Sequence, residues 1–326
     1  MAISRRKFFK RIFKYAILAG GTYVGYNSGL SGVKEDLRYF YNIIQPKKKP
    51  KDKLLFDQHF HMTYYKNKND LEKVVEKMIT ATDFVSVAMH GSSVSKGETN
   101  YEGLVEQVKS LNMVEFSDRY ATIIRKGDKS TMLIRSQEVY TMNPDYPKQQ
   151  VHFNVAGMDY VRTYMQTEKF LDIAFKQSEM VTLNHPYAVP NKYVKYWLPN
   201  SREEEHLIKL VNNYDLFVEG HNMMCVLHLA AANAKAKKLA FNAGRVMLAG
   251  TDTHRAKRRD MMKMVGNAGV LIDDCSELKD WKSLTGKEMV QRLANYIKYS
   301  EVQLLDNYVR PLTFYNVMVK RRDLWD

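Results

Sequence analysis

The chain has 326 residues, 45% apolar and 12% aromatic, which is enough core for one large α/β barrel or two average domains and excludes wholesale disorder. The formal net charge is +14, but residues 1–53 hold thirteen Lys/Arg against Glu35, Asp36 and Asp52, so all but +4 belongs to the N-terminal segment and no nucleic acid is expected on the folded body. Two cysteines, Cys225 and Cys275, exclude a disulfide framework and leave a single pairing open.

Ser4-Arg5-Arg6-Lys7-Phe8-Phe9-Lys10 resembles a twin-arginine export signal, followed by an uncharged run from Tyr15 to Val33 with five glycines. Residues 1–33 are thus expected to be a signal or membrane anchor that engages the twin-arginine export machinery. The body is then extracytoplasmic, periplasmic or at the cell surface. No A-x-A site follows, and nineteen uncharged residues are about enough to span a bilayer, so a retained anchor and a released form stand equal. Residues 34–53, ending in Gln-Pro-Lys-Lys-Lys-Pro-Lys-Asp-Lys, read as a solvated basic tether.

Strands are predicted at Leu54–His61, Phe84–His90, Met132–Tyr140, Val151–Gly157, Met180–His185, Leu216–Glu219 and Val246–Thr251. Helices between them are predicted at Asp70–Thr80, Tyr101–Asn112, Arg162–Gln177, Arg202–Asn213 and Met224–Ala243. The alternation points to a parallel α/β architecture. Two intervals depart from it. The step from Glu138 to His152 is too short for a helical crossover, so those strands should join by a loop. The step from His90 to Glu138 has room for an extra hairpin, with a turn at Arg125–Lys129. Residues 54–273 form the expected barrel and 274–326 complete it, with an amphipathic helix at Gly286–Ser300.

Residues of ligand type fall at or near strand ends: His61, His90, Glu138, His152, His185, Glu219 and Asp252. In Asp57-Gln-His59-Phe-His61, period-two alternation sends both imidazoles to one face. Asp252-Thr-His254 repeats that geometry beside Gly250, which admits close backbone approach. Glu138 sits inside a β-rich run, where a carboxylate is costly unless paired or bound to a cation. Each signal alone is weak: an H-x-H is usually incidental, and an Asp often caps a turn.

Together these segments resemble the polymerase-and-histidinol-phosphatase (PHP) family over roughly residues 54 to 255. Asp57, His59 and His61 match its opening D-x-H-x-H, His90 its second motif, and Glu138 its strand carboxylate. His152 through Gly157 approximate its H-x-x-G, Asn184-His185-Pro186 its A-H-P, and Gly250 through His254 its closing G-S-D-x-H. The resemblance implies a distorted (β/α)7 barrel of PHP type with two or three divalent metal ions. It implies His59, His61, Glu138 and Asp252 on the first ion, and Glu138, His152 and His185 on the second. His90 and His254 contribute to the third. The chain departs from the family at Tyr64-Tyr65-Lys66-Asn67, where a further ligand for that third ion is usual.

The expected activity is hydrolysis of a phosphate ester by metal-activated water, with Glu138 and Asp252 in the catalytic centre and Asp57 orienting a ligand histidine. Mixed imidazole and carboxylate donors suit Zn, Mn or Fe. Arg255 is a candidate phosphate contact, against its reading as a solvated turn, and strand-end position makes His221 and Asn222 candidate substrate contacts. His206 and His228 read as packing or surface residues. The substrate is expected to be a small phosphorylated compound or a phosphate-containing envelope polymer. Two other functions compete: an amidohydrolase-type barrel acting on an amide or lactone, and a non-catalytic module binding metal or an anionic envelope polymer.

Overall fold

The computed structural model describes residues 39, 41–43, 45–91, 93–94, 97–143, 146–188, 201–226, 230–254, 256–275, 278, 283–310, 313 and 317. The export-signal segment, His228 and Arg255 lie outside the described residues. Among the described residues no helix is long and apolar enough to cross a membrane.

The chain lays down β1 (Lys53–Phe60), β2 (Met62–Thr63), α1 (Lys68–Ala81), β3 (Phe84–His90), β4 (Glu98–Thr99) and α2 (Tyr101–Lys109). There follow β5 (Val114–Ser117), β6 (Ala121–Lys126), β7 (Lys129–Asn143), β8 (Tyr146–Ala156), β9 (Met165–Gln166), α3 (Thr167–Gln177) and β10 (Met180–Leu183). Next come α4 (Ser201–Asn213), β11 (Phe217–Asn222), α5 (Ala230–Asn242), β12 (Met247–Gly250), α6 (Arg258–Met264), β13 (Ala268–Asp273), α7 (Gly286–Tyr299) and β14 (Gln303–Asp306).

Nine strands run side by side in the order β12-β11-β10-β8-β7-β3-β1-β13-β14, a nearly closed barrel-like sheet in a mixed α/β fold. The pairs β1–β3, β3–β7, β10–β11 and β11–β12 are parallel. Strand β8 runs antiparallel to both neighbours, because too few residues separate it from β7 for anything but a hairpin. The extra hairpin also forms, with Lys126 opposite Lys129. Strands β13 and β14 are antiparallel additions beside β1 that the sequence pattern did not reveal.

Closure occurs where the end of β12 meets β1. A Cβ on Gly250 would lie 2.4 Å from His59 Cβ and 2.9 Å from its backbone nitrogen, so only glycine lets the two strands approach this closely. Asp252 N then donates to His59 O at 2.7 Å, and Asp57 accepts from Thr251 N at 3.0 Å and Thr251 Oγ1 at 2.6 Å. Asp57 therefore clasps two strand ends, and it engages the candidate ligand His59 through the backbone N–H at 3.3 Å and not through the imidazole. Burial, opposed by those hydrogen bonds, pushes its carboxyl up to about 7.

The starts of the strands are apolar: Phe56, Phe84, Met132, Met180, Phe217 and Leu248 share one core with Met289, Val290 and Leu293 of α7. That helix begins with a capping box, in which Thr285 and Glu288 satisfy each other's backbone N–H groups. The other helices pack their apolar faces outside the sheet in two further cores. One end of the barrel is thus sealed with hydrocarbon, and the polar residues gather at the opposite end.

Part of the expected tether is docked. Tyr39 is fully buried against Tyr308, with ring centroids 5.0 Å apart. Lys47 exchanges hydrogen bonds with the Asn307 side chain and reaches Asp306 at 2.7 Å. Lys49 pairs with Asp83 and Lys53 with Asp273. The lysine run looked solvated because its partner carboxylates lie far away in the sequence.

Candidate metal centre

The first two imidazoles define the centre. His59 Nδ1 donates to Glu219 Oε1 at 3.2 Å and His61 Nδ1 to Ala88 O at 3.1 Å. Those bonds commit a proton to Nδ1 of each ring, and the two Nε2 atoms face each other across 3.1 Å. Facing lone pairs repel unless a proton or a cation lies between them. Nitrogen ligands held at about 2.0–2.1 Å around a tetrahedral ion stand about 3.3 Å apart, close to what is found.

Asp252 closes this group. Its Oδ2 accepts from Asn222 Nδ2 at 2.9 Å. Its Oδ1 has no hydrogen-bond partner of acceptable geometry. Yet His254, His59 and His61 bring Nε2 to 3.0, 3.5 and 3.6 Å from it. A buried carboxylate oxygen among three imidazoles, two of which hydrogen-bond elsewhere, is the pattern left by ligands aimed at a common ion.

Glu138, midway along β7, spans the centre. Its Oε1 lies 2.8 Å from His152 Nδ1, 3.1 Å from His185 Nε2 and 3.8 Å from His59 Nε2. Its Oε2 lies 3.4 Å from both His61 Nε2 and His90 Nε2. The register of β3 and β7 sets His90 directly beside Glu138.

Among the described residues three sets of donors converge with their ligand atoms within 4.8 Å of one another: His59, His61 and Asp252; His59, Glu138 and His185; His90, Glu98 and His254. The first two sets lie within the expected constellation, with one change. His152 was expected beside Glu138 and His185 on the second ion, but it falls in none of the three sets. It hydrogen-bonds Glu138 through Nδ1 and keeps a buried Nε2 without a partner. Metal-binding distance is therefore reached by buried His, Glu and Asp donors, which could hold a metal ion.

Comparison with family models and with curated proteins gives no match.

The third set contains Glu98, which the sequence pattern missed. Its strand β4 is two residues long and pairs with β2, directly behind His61. Glu98 Oε1 lies 3.6 Å from His254 Nδ1. Burial opposes ionisation of Glu98, but the surrounding histidines outweigh it and bring the carboxyl down to about 2. It stands where Tyr64–Asn67 offered no ligand.

Glu219 is the second residue without an assigned role in the sequence. It is fully buried and accepts from Gln58 Nε2, His59 Nδ1, Asn222 Nδ2 and the backbone N–H of His185. Period two would put His221 on the same face, but a register shift in the β11–β12 pairing separates them. His221 instead hydrogen-bonds Asn307 O at 2.8 Å and Asn233 at 3.2 Å, so it does not reach the centre. Asn222 does reach it, as the side chain that holds Asp252.

Burial opposes the ionised forms of Glu138 and Asp252, yet neighbouring imidazoles hold both carboxyls well below their ordinary range. Against the same burial, Asp252 and Glu98 raise His254 to about 10. Burial wins at His90, which falls to about 3 and is neutral at physiological pH. The backbone is strained at two of these residues: His185 has φ 24° and Asp252 φ 46°, both in the left-handed region.

Proposed function

We propose that this chain is a metal-dependent phosphoesterase built on a variant of the PHP-type (β/α)7 barrel, acting outside the cytoplasm after export by the twin-arginine route. The observation that carries the reading is the 3.1 Å approach of two imidazole Nε2 atoms whose Nδ1 protons are committed elsewhere. The motif order of the sequence supports it.

His61 and Asp252 would hold one ion, Glu138 and His185 a second, and His90, Glu98 and His254 a third, with the single free Nε2 of His59 serving one of the first two; Zn, Mn or Fe suits such donors. Bound cations supply Lewis-acid polarisation of a phosphoryl oxygen and acidify water. The chain's own residues keep the donors in place. Glu138 turns one oxygen toward His185 and the other toward His61 and His90, joining the sets. Glu219 and the Ala88 carbonyl hold two rings in one tautomer, and Asn222 engages one oxygen of Asp252 and leaves the other to the centre. Burial and the nearby carboxylates push the Cys225 thiol well above its ordinary value, which argues against a thiolate nucleophile.

The deciding experiment combines elemental analysis with a screen for phosphate release, wild type against Asp252→Ala. Bound cation and turnover in the wild type, both reduced in the variant, are expected. Turnover by cation-free protein that the substitution leaves unchanged would end the proposal. Fractionation of cells expressing the full chain checks the location.

A further inference from the structure

A basic groove adjoins the centre. A cavity of about 370 Å³ opens between the segment after His61 and the segment after His254, with Thr63, Tyr65, Lys66, Ala256, Lys257 and Arg259 on its walls. Thr63 and Ala256 each stand two residues beyond a histidine of the centre, at most about 7 Å of chain. The two walls are fixed to each other, since Tyr65 Oη donates to Ala256 O at 2.9 Å. Gln107 Nε2 holds the Tyr65 carbonyl at 3.1 Å, and β2 is paired to β4. The groove therefore exists before any ligand arrives.

Its charge is one-sided. Arg258 is neutralised by Asp70 at 3.1 Å. Lys66, Lys257 and Arg259 are exposed, and among the described residues none of them enters an ion pair. A small phosphate monoester is fully served by the histidine and carboxylate centre. Three unpaired cations three to five residues beyond its histidines add nothing to such a substrate, yet they extend the positive field along a fixed path.

We propose that this groove is a subsite for a second phosphate, so that the preferred substrates are small bisphosphorylated compounds. The scissile phosphate sits at the metal centre and the other on Lys66, Lys257 and Arg259. This rests on the phosphoesterase reading and adds the substrate class.

The test is calorimetric binding of fructose 1,6-bisphosphate, fructose 6-phosphate and inorganic phosphate to the metal-loaded full chain. The wild type is compared with Lys66→Ser/Lys257→Ser/Arg259→Ser and with a control, Lys169→Ser/Lys176→Ser/Lys209→Ser, that removes equal charge from other exposed positions. Elemental analysis confirms that each variant keeps its cations. The bisphosphate binds the wild type and the control at least about tenfold more tightly than the monophosphate, the scale of a few exposed charge contacts. That advantage vanishes in the groove variant and shrinks as salt rises from about 0.05 to about 0.5 M. Equal affinities in the wild type, or an advantage that survives in the groove variant, overturn the subsite. A groove-dependent advantage without binding of inorganic phosphate or turnover sinks the phosphoesterase reading and leaves the subsite standing. Anionic polymer binding through the groove with no bisphosphate advantage assigns it to a polymer and rejects this proposal.

Discussion

Two buried histidine networks, one around His221 on β11 and one around His59 on β1, differ in what they leave unsatisfied. Around His221 both ring nitrogens have a conventional use: Nε2 donates to the Asn307 carbonyl, Nδ1 accepts from Asn233 Nδ2, and the ring meets Tyr308 edge-on at 4.8 Å. Around His59 and His61 the outer nitrogens are equally well bonded, but the inner ones face each other, and Asp252 Oδ1 and His152 Nε2 have no hydrogen-bond partner. Burial and residue type are the same in both. The difference teaches that a buried histidine points to a cation only when its free lone pair converges with others on a shared point, and that a closed hydrogen-bond circuit points to architecture.

The sharpest break in this comparison comes from Glu138→Gln. Losing the charge that joins the donor sets should remove cation and cut turnover by about a thousandfold or more, on the scale seen when a transition-state electrostatic partner is deleted. Elemental analysis and phosphate release measure it. Unchanged cation content would make this carboxylate as architectural as Asn233.

His221→Ala should do the reverse. It opens a cavity and strands the Asn307 carbonyl, costing about 2–4 kcal/mol in a denaturant titration, while cation per folded chain stays at the wild-type level. Lost cation with unchanged stability would merge the two networks into one site.

Asn222 lies between the networks. Its side chain bonds Asp252 and Glu219, and its backbone N–H donates to Asn233 Oδ1. Asn222→Ala should weaken cation affinity by about 10–100-fold, as expected for a group that orients a ligand from behind. A competition titration with a chromogenic chelator reads it.

The smallest effect is in pH. In cation-free protein His254 is raised from 6.5 to about 10 by Asp252 and Glu98 against burial. A raised folded value contributes stability that is complete below about 6.5 and is lost as pH climbs through about 10. The cation-free wild type should therefore lose stability over that window, and His254→Gln should flatten the loss. Because the proton must leave before an ion can take its place, cation uptake at pH 8 should release protons, seen by calorimetry in buffers of different ionisation heat. Uptake without proton release would set His254 among the architectural residues.

How much of this was legible in the sequence depended on where each residue lies in its element. His59, His61, His90 and His185 stand at or just past strand ends, where alternation and spacing speak clearly. Gly250 announced a close approach, and the 2.4 Å distance from its hypothetical Cβ to His59 Cβ shows one. Glu98 was invisible because its strand is two residues long and has no periodicity. His221 and Glu219 exchanged significance through a register shift that alternation cannot foresee. The antiparallel course of β8 was half legible: the short interval ruled out a crossover helix, but the count of parallel strands ignored it. Strand β13 and the docked lysines failed for a common reason, since each depends on partners distant in the chain, Lys53 with Asp273 among them.

The left-handed backbone at His185 and Asp252 has an evolutionary corollary. Each such residue costs the fold about 1–3 kcal/mol, and the cost persists for as long as a side chain other than glycine is needed there. Glycine at either position would relax the chain and yield a hardier protein with a blunted centre. Selection for robustness alone would thus favour glycine at both positions.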